Sequence, residues 1–83
     1  MSFPLVTLQL QNNAFEGSLP NNLYKLNNLK YLICDNNNFN GSIKASMGSL
    51  SDLTVVSFRE NRLSGTIPEE ISDLTALGKL DHI

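Results

Sequence analysis

The chain has 83 residues, enough for one small domain or a piece of a larger one and too few for a second core. Apolar residues make up 41 % and charged residues 17 %, against a usual charged share of about 25 %, which excludes a chain disordered by composition. The net charge of −2, from six basic and eight acidic residues, excludes steering onto phosphate backbones or anionic membranes, so no nucleic acid is expected as a partner.

A single cysteine, Cys34, allows no internal disulfide. With a lone His82 there is no Cys/His cluster for a metal, and no cofactor is expected. Residues 1–10 hold no Lys or Arg and are interrupted by Thr7 and Gln9, so they do not read as a signal peptide. The longest apolar patch, 53–58, contains Thr54 and Ser57, and no membrane span is expected in this chain.

What remains is bias: 14 Leu and 11 Asn. An offset of 24 residues aligns Leu5, Leu29, Leu53 and Leu77 and divides the chain into units 5–28, 29–52 and 53–76 with a partial unit 77–83. Each unit follows L-x-x-L-x-L-x-x-N-x-L-x-G-x-I-P-x-x-L-x-x-L, and 29 of the 30 specified positions hold the named residue or an apolar equivalent. The exception is Lys44, where proline is expected.

In chain order, each unit opens with a period-two alternation, Leu8-x-Leu10, Leu32-x-Cys34 and Val56-x-Phe58, which predicts a short strand with one face buried. Strands that recur every 24 residues cannot be joined by tight hairpins, so the chain must circle back and lay them parallel in one sheet. Asn13, Asn37 and Asn61 follow at the corner where the chain leaves the sheet. An amide there can pair with backbone groups that no ladder reaches, so this column is read as structural.

Gly17, Gly41 and Gly65 come next, where a bend needs a residue tolerant of positive φ, and Pro20 and Pro68 suit the start of a helical segment. Leu19, Leu23 and Leu26, then Ile43, Met47 and Leu50, then Ile67, Ile71 and Leu74 are spaced three or four apart, which predicts short helical turns facing the strands from the opposite wall.

The segments Phe15-Glu16-Gly17-Ser18-Leu19-Pro20, Phe39-Asn40-Gly41-Ser42-Ile43-Lys44 and Leu63-Ser64-Gly65-Thr66-Ile67-Pro68 resemble the L-x-G-x-[IL]-P signature of plant-type, 24-residue leucine-rich repeats. The resemblance covers residues 5–80 and implies an α/β repeat solenoid: short parallel strands on the concave face, short helical or 3₁₀ segments on the convex side. In that family such arrays form the extracellular recognition parts of receptor-like kinases and receptor-like proteins, and the polygalacturonase-inhibiting proteins of the cell wall. The implied function is therefore a non-enzymatic protein- or peptide-recognition module, extracellular or at the cell surface in its parent. The alternatives are a piece of a secreted inhibitor, or of a kinase whose catalytic domain is not in this sequence.

The flanking cysteine-paired caps of the family do not occur in these residues, so the chain reads as an internal stretch. Uncapped, it would leave about seven apolar positions half exposed at each end, on the order of 7 kcal/mol per end, and a marginal, oligomeric or aggregation-prone chain is expected. His82 falls where a buried strand residue belongs and reads as the ragged end of the array.

Residues alternating with the buried strand positions form the open face of the sheet, and they are the candidate ligand-binding surface. They are Gln9, Gln11 and Asn12 in the first unit, Tyr31, Ile33, Asp35 and Asn36 in the second, and Ser57, Arg59 and Glu60 in the third. Tyr31 and Ile33 beside Asp35 and Arg59 give the mixture of an anchor and polar surroundings that suits a peptide or protein, with a cell-wall polymer or a co-receptor as further candidate partners. Taken alone, Asp35 and Arg59 on adjacent strands would pair in solvent for under about 1 kcal/mol. Asn40-Gly41-Ser42 is an N-glycosylation sequon in a turn, and Cys34 reads as a small buried apolar residue.

Overall fold

The computed structural model describes residues 4–81; His82 and its expected strand position lie outside the described residues. The chain winds as a solenoid in which each coil contributes one short strand, β1 (Thr7–Gln9), β3 (Tyr31–Ile33), β5 (Val55–Ser57) and β6 (Lys79–Asp81). These strands form one parallel sheet in the order β1-β3-β5-β6. Leu8 lies beside Leu32, Leu32 beside Val56 and Val56 beside Leu80, so every partner is the residue 24 positions on. The register follows from the period: any slip would take the leucines out of the core.

The opposite wall is built from three 3₁₀ turns, η1 (Asn21–Lys25), η2 (Ala45–Ser49) and η3 (Glu69–Asp73). Each enters from an extended residue, Pro20, Lys44 or Pro68, and each closes on a leucine, Leu26, Leu50 or Leu74, whose N–H donates three residues back. With five residues per segment and apolar positions three or four apart, the tighter 3₁₀ winding covers the core without a longer helix. Lys44, the one departure from proline, has an N–H that proline lacks, and that N–H donates to the hydroxyl of buried Tyr24 at 3.2 Å. Its ammonium donates to Asn21 Oδ1 at 2.7 Å.

A second parallel sheet, not anticipated from the sequence, joins β2 (Glu16–Ser18) to β4 (Asn38–Asn40) where the coils leave the first sheet. Its partners are 22 residues apart, Gly17 beside Phe39, whereas those of the first sheet are 24 apart. Gly17 within β2 and Gly41 just after β4 take φ of +84° and +76°, and Gly65 at the same position of the third coil takes +78°, the left-handed region that glycine enters without penalty.

The core lies between the walls and is complete only in the middle. Leu29, Leu32, Met47, Leu50, Leu53 and Phe58 are wholly buried, while Leu5 and Phe15 in the first coil are 44 % and 46 % exposed. Leu8, Leu10, Leu63, Ile71 and Leu77 are half-buried at the two ends. At the first coil this opens an apolar cavity of about 230 Å³ lined by Leu8, Leu10, Leu19, Leu23 and Leu26, with Phe39 and Cys34 behind. Between η2 and η3 the approach is so close that a Cβ on Gly48 would lie 2.5 Å from the carbonyl oxygen of Glu70.

Candidate functional site

The strand wall presents three rows of side chains running across the coils. The first row is Thr7, Tyr31, Val55 and Lys79, and the second holds Gln9, Ile33 and Ser57, aligned by the ladder partners. The third, just past the strand ends, holds Gln11, Asp35 and Arg59, tied by Asn12 N–H donating to Asp35 O at 3.0 Å and Asn36 N–H to Arg59 O at 2.8 Å. Of the residues expected on the open face, Gln9, Tyr31, Arg59 and Glu60 are exposed, with Tyr31 at 43 %. Ile33, Asp35 and Gln11 are half-buried, and Gln11 Oε1 is buried without a hydrogen-bond partner among the described residues.

Ser57 corrects the expectation. It is 4 % exposed, and its hydroxyl donates to Asp35 Oδ1 at 2.6 Å. The smallest side chain of its row, next to Ile33 and turned toward Asp35, it lies beneath the surface rather than on it. A second correction concerns Asp35 and Arg59: the contact between them is made by the Arg59 backbone N–H, which donates to Asp35 Oδ1 at 2.8 Å, and not by a guanidinium–carboxylate pair in solvent. Asp35 thus spends Oδ1 on holding the third coil to the second, and Oδ2 takes no hydrogen bond among the described residues.

Asn12, Asn36 and Glu60 have a backbone role that the sequence did not disclose. Their φ values are +61°, +56° and +57°, so the chain turns through the left-handed region at this position of every coil. Asparagine tolerates that conformation and glutamate does so at a cost. Asn36 Nδ2 also donates to Asn12 Oδ1 at 3.1 Å, which engages both amides with each other.

The asparagine corner is a continuous hydrogen-bonded column. Asn37, 5 % exposed, donates through Nδ2 to Leu10 O of the preceding coil at 2.9 Å and to Cys34 O and Asp35 O of its own coil, while its Oδ1 accepts the N–H of Phe15. Asn61 repeats the set with Cys34 O, Phe58 O, Arg59 O and the N–H of Phe39. Asn13, in the first coil, is exposed and donates only within its own coil, to Leu10 O and Gln11 O.

Cys34 is 1 % exposed, and burial, with a smaller contribution from the Asp35 charge, pushes its thiol from 9.0 up to about 12. At neutral pH it is a packed thiol. Among the described residues no group of three or more His, Cys, Asp or Glu is placed to hold a metal ion, and no helix is long and apolar enough to cross a membrane.

Coils of one strand and one 3₁₀ turn, stacked at a 24-residue register with an asparagine at every corner, define a leucine-rich-repeat solenoid. The Leucine Rich Repeat family matches residues 4–26, 28–50 and 52–74, and the chain belongs to that family. Its array is of the plant type. The plant peptide hormone receptor RGFR1, solved in complex with RGF2, superposes with a TM-score of 0.85 at 34 % identity over 88 % of this chain. The ectodomain of the membrane receptor kinase GASSHO1/SCHENGEN3 from Arabidopsis thaliana, solved with CASPARIAN STRIP INTEGRITY FACTOR 2, gives 0.89 at 37 % identity over 92 %. The Arabidopsis receptor kinase HAESA, solved with the peptide hormone IDA and the co-receptor SERK1, gives 0.87 at 35 % identity over 92 %. This chain spans only 12 %, 9 % and 13 % of those three chains. No curated protein matches it.

Proposed function

We propose that the chain is a stretch of a plant receptor ectodomain, extracellular or at the cell surface, that recognises a peptide or protein on its strand wall without catalysing a reaction. The observation that carries this reading is Tyr31, an aromatic side chain 43 % exposed on the wall between exposed Thr7 and half-buried Val55. An exposed aromatic costs solubility, and it suits the anchor of a contact whose polar rim is Gln9, Asp35 through Oδ2, and Arg59. The solved neighbours, receptors in complex with peptide hormones, support the same reading.

The test is made in the longer ectodomain that contains this stretch. Tyr31→Ala and Arg59→Glu are introduced separately and partner affinity is measured by titration calorimetry. Loss of an anchor weakens binding by about tenfold or more, equivalent to about 1.4 kcal/mol. Unchanged affinity in both variants would make this part of the wall scaffold alone.

A further inference from the structure

Among the asparagines, Asn37 and Asn61 of the corner column and Asn12 and Asn36 of the left-handed turn use their amides on neighbouring coils, Asn13 uses its amide within its own coil, and Asn21 accepts from Lys44. Asn40, like Asn22, Asn27, Asn28 and Asn38, is exposed, and its side chain makes no hydrogen bond among the described residues. It is the one asparagine of the sequence with a serine or threonine two positions on, in Asn40-Gly41-Ser42.

Along β4 exposure alternates, with Asn38 and Asn40 exposed and Phe39 buried, so the Asn40 side chain stands on the outer side of the second sheet. Its backbone is paired beside Ser18, and the neighbouring carbonyl of Gly41 accepts the N–H of Ser64 at 2.7 Å, so the strand beneath it is held from both adjacent coils. Gly41, at φ +76°, turns the chain immediately afterwards and leaves Ser42 exposed as well. A substituent on Asn40 Nδ2 displaces no contact of the fold, and it projects from a different sheet from the one that carries Tyr31.

We propose that Asn40 is an N-glycosylation site, compatible with binding on the strand wall. The proposal rests on the extracellular reading given above for its occurrence in the living cell. The donor class is an oligosaccharide linked through pyrophosphate to a polyprenol. In the transfer, Nδ2 of Asn40 loses one proton and forms a bond to the anomeric carbon. The bond from that carbon to the pyrophosphate oxygen breaks, the polyprenyl pyrophosphate leaves with the electron pair, and nothing is oxidised or reduced.

The full chain, fused behind a cleavable secretion signal, is translated in the presence of microsomes, and the protease-protected fraction is analysed by intact mass and gel mobility. The expected result is one oligosaccharide per chain, released by peptide N-glycosidase with conversion of Asn40 to aspartate. Asn40→Gln abolishes the addition, and Ser42→Thr, which keeps the sequon, retains it. A protected wild-type chain at its bare polypeptide mass overturns the proposal, as does an oligosaccharide that survives Asn40→Gln. Because the signal is supplied and no binding is measured, the outcome is independent of the receptor reading.

Discussion

Replacing Gly48 by alanine sets two effects of opposite sign against each other. Gly48 sits inside η2, outside the left-handed region, so alanine fits its backbone and should gain about 0.5–1 kcal/mol from lower unfolded-state entropy. The added methyl, however, would lie 2.5 Å from Glu70 O, 2.9 Å from Glu70 Cβ and 3.0 Å from Glu70 C. The first is about 1 Å inside ordinary van der Waals contact, and two of the three atoms are backbone, which no rotamer change moves aside. Relief requires η2 and η3 to separate, against the packing of Met47 and Leu50 beneath them. Overpacking of this kind costs about 1–3 kcal/mol, so the net expectation is a loss of about 1–2 kcal/mol. Equilibrium urea unfolding followed by circular dichroism reads it directly. With a slope of about 1 kcal/mol/M for so small a chain, the midpoint falls by about 1–2 M, while exposed Ser46→Ala in the same turn leaves it nearly unchanged. A Gly48→Ala midpoint equal to or above that of the parent would show that the close approach of the two turns imposes no constraint.

Three further outcomes follow from the geometry. Asn37→Ala removes an amide that serves three carbonyls and one N–H across two coils, and a loss of about 1–3 kcal/mol is expected in the same urea experiment, more than for exposed Asn13→Ala. Glu60→Asn places a residue suited to φ +57° at the left-handed turn and should raise stability by about 0.5–1 kcal/mol, seen as a higher thermal midpoint; a lower midpoint would mean that the Glu60 side chain makes a contribution of its own. Cys34, with its thiol pushed up from 9.0 to about 12, should react with iodoacetamide at pH 8 about 10³-fold more slowly in the native chain than in urea, and equal rates would place it outside the core. Because the folded thiol is the weaker acid, its contribution to stability is complete below pH 9.0 and declines above it, as the unfolded thiol ionises and the buried one does not.

The strand wall was legible in the sequence because its cause is local and repeated. Leucines at a period of 24, alternating with polar residues, leave one parallel register that buries them, and Leu8, Leu32, Val56 and Leu80 adopt it. The second sheet was not legible. Glu16-Gly17-Ser18 and Asn38-Phe39-Asn40 carry glycine and asparagine in place of strand-forming residues, and they pair because stacked coils bring their backbones together. Gly48 occupies the unit position filled elsewhere by Tyr24 and Ser72, and nothing in that sequence column reports the carbonyl of Glu70.

The candidate face divides along the same line. The alternation placed Gln9, Tyr31 and Arg59 on the open side, but it could not show that Ser57 is covered or that Asp35 Oδ1 is already engaged. It also treated Asn12, Asn36 and Glu60 as side chains on offer, when each marks a left-handed backbone turn. What lies within one coil is fixed by spacing along the chain and repeats with it. What a side chain meets on the next coil, 22 to 27 residues away, depends on how the coils stack, and only the tertiary structure decides that.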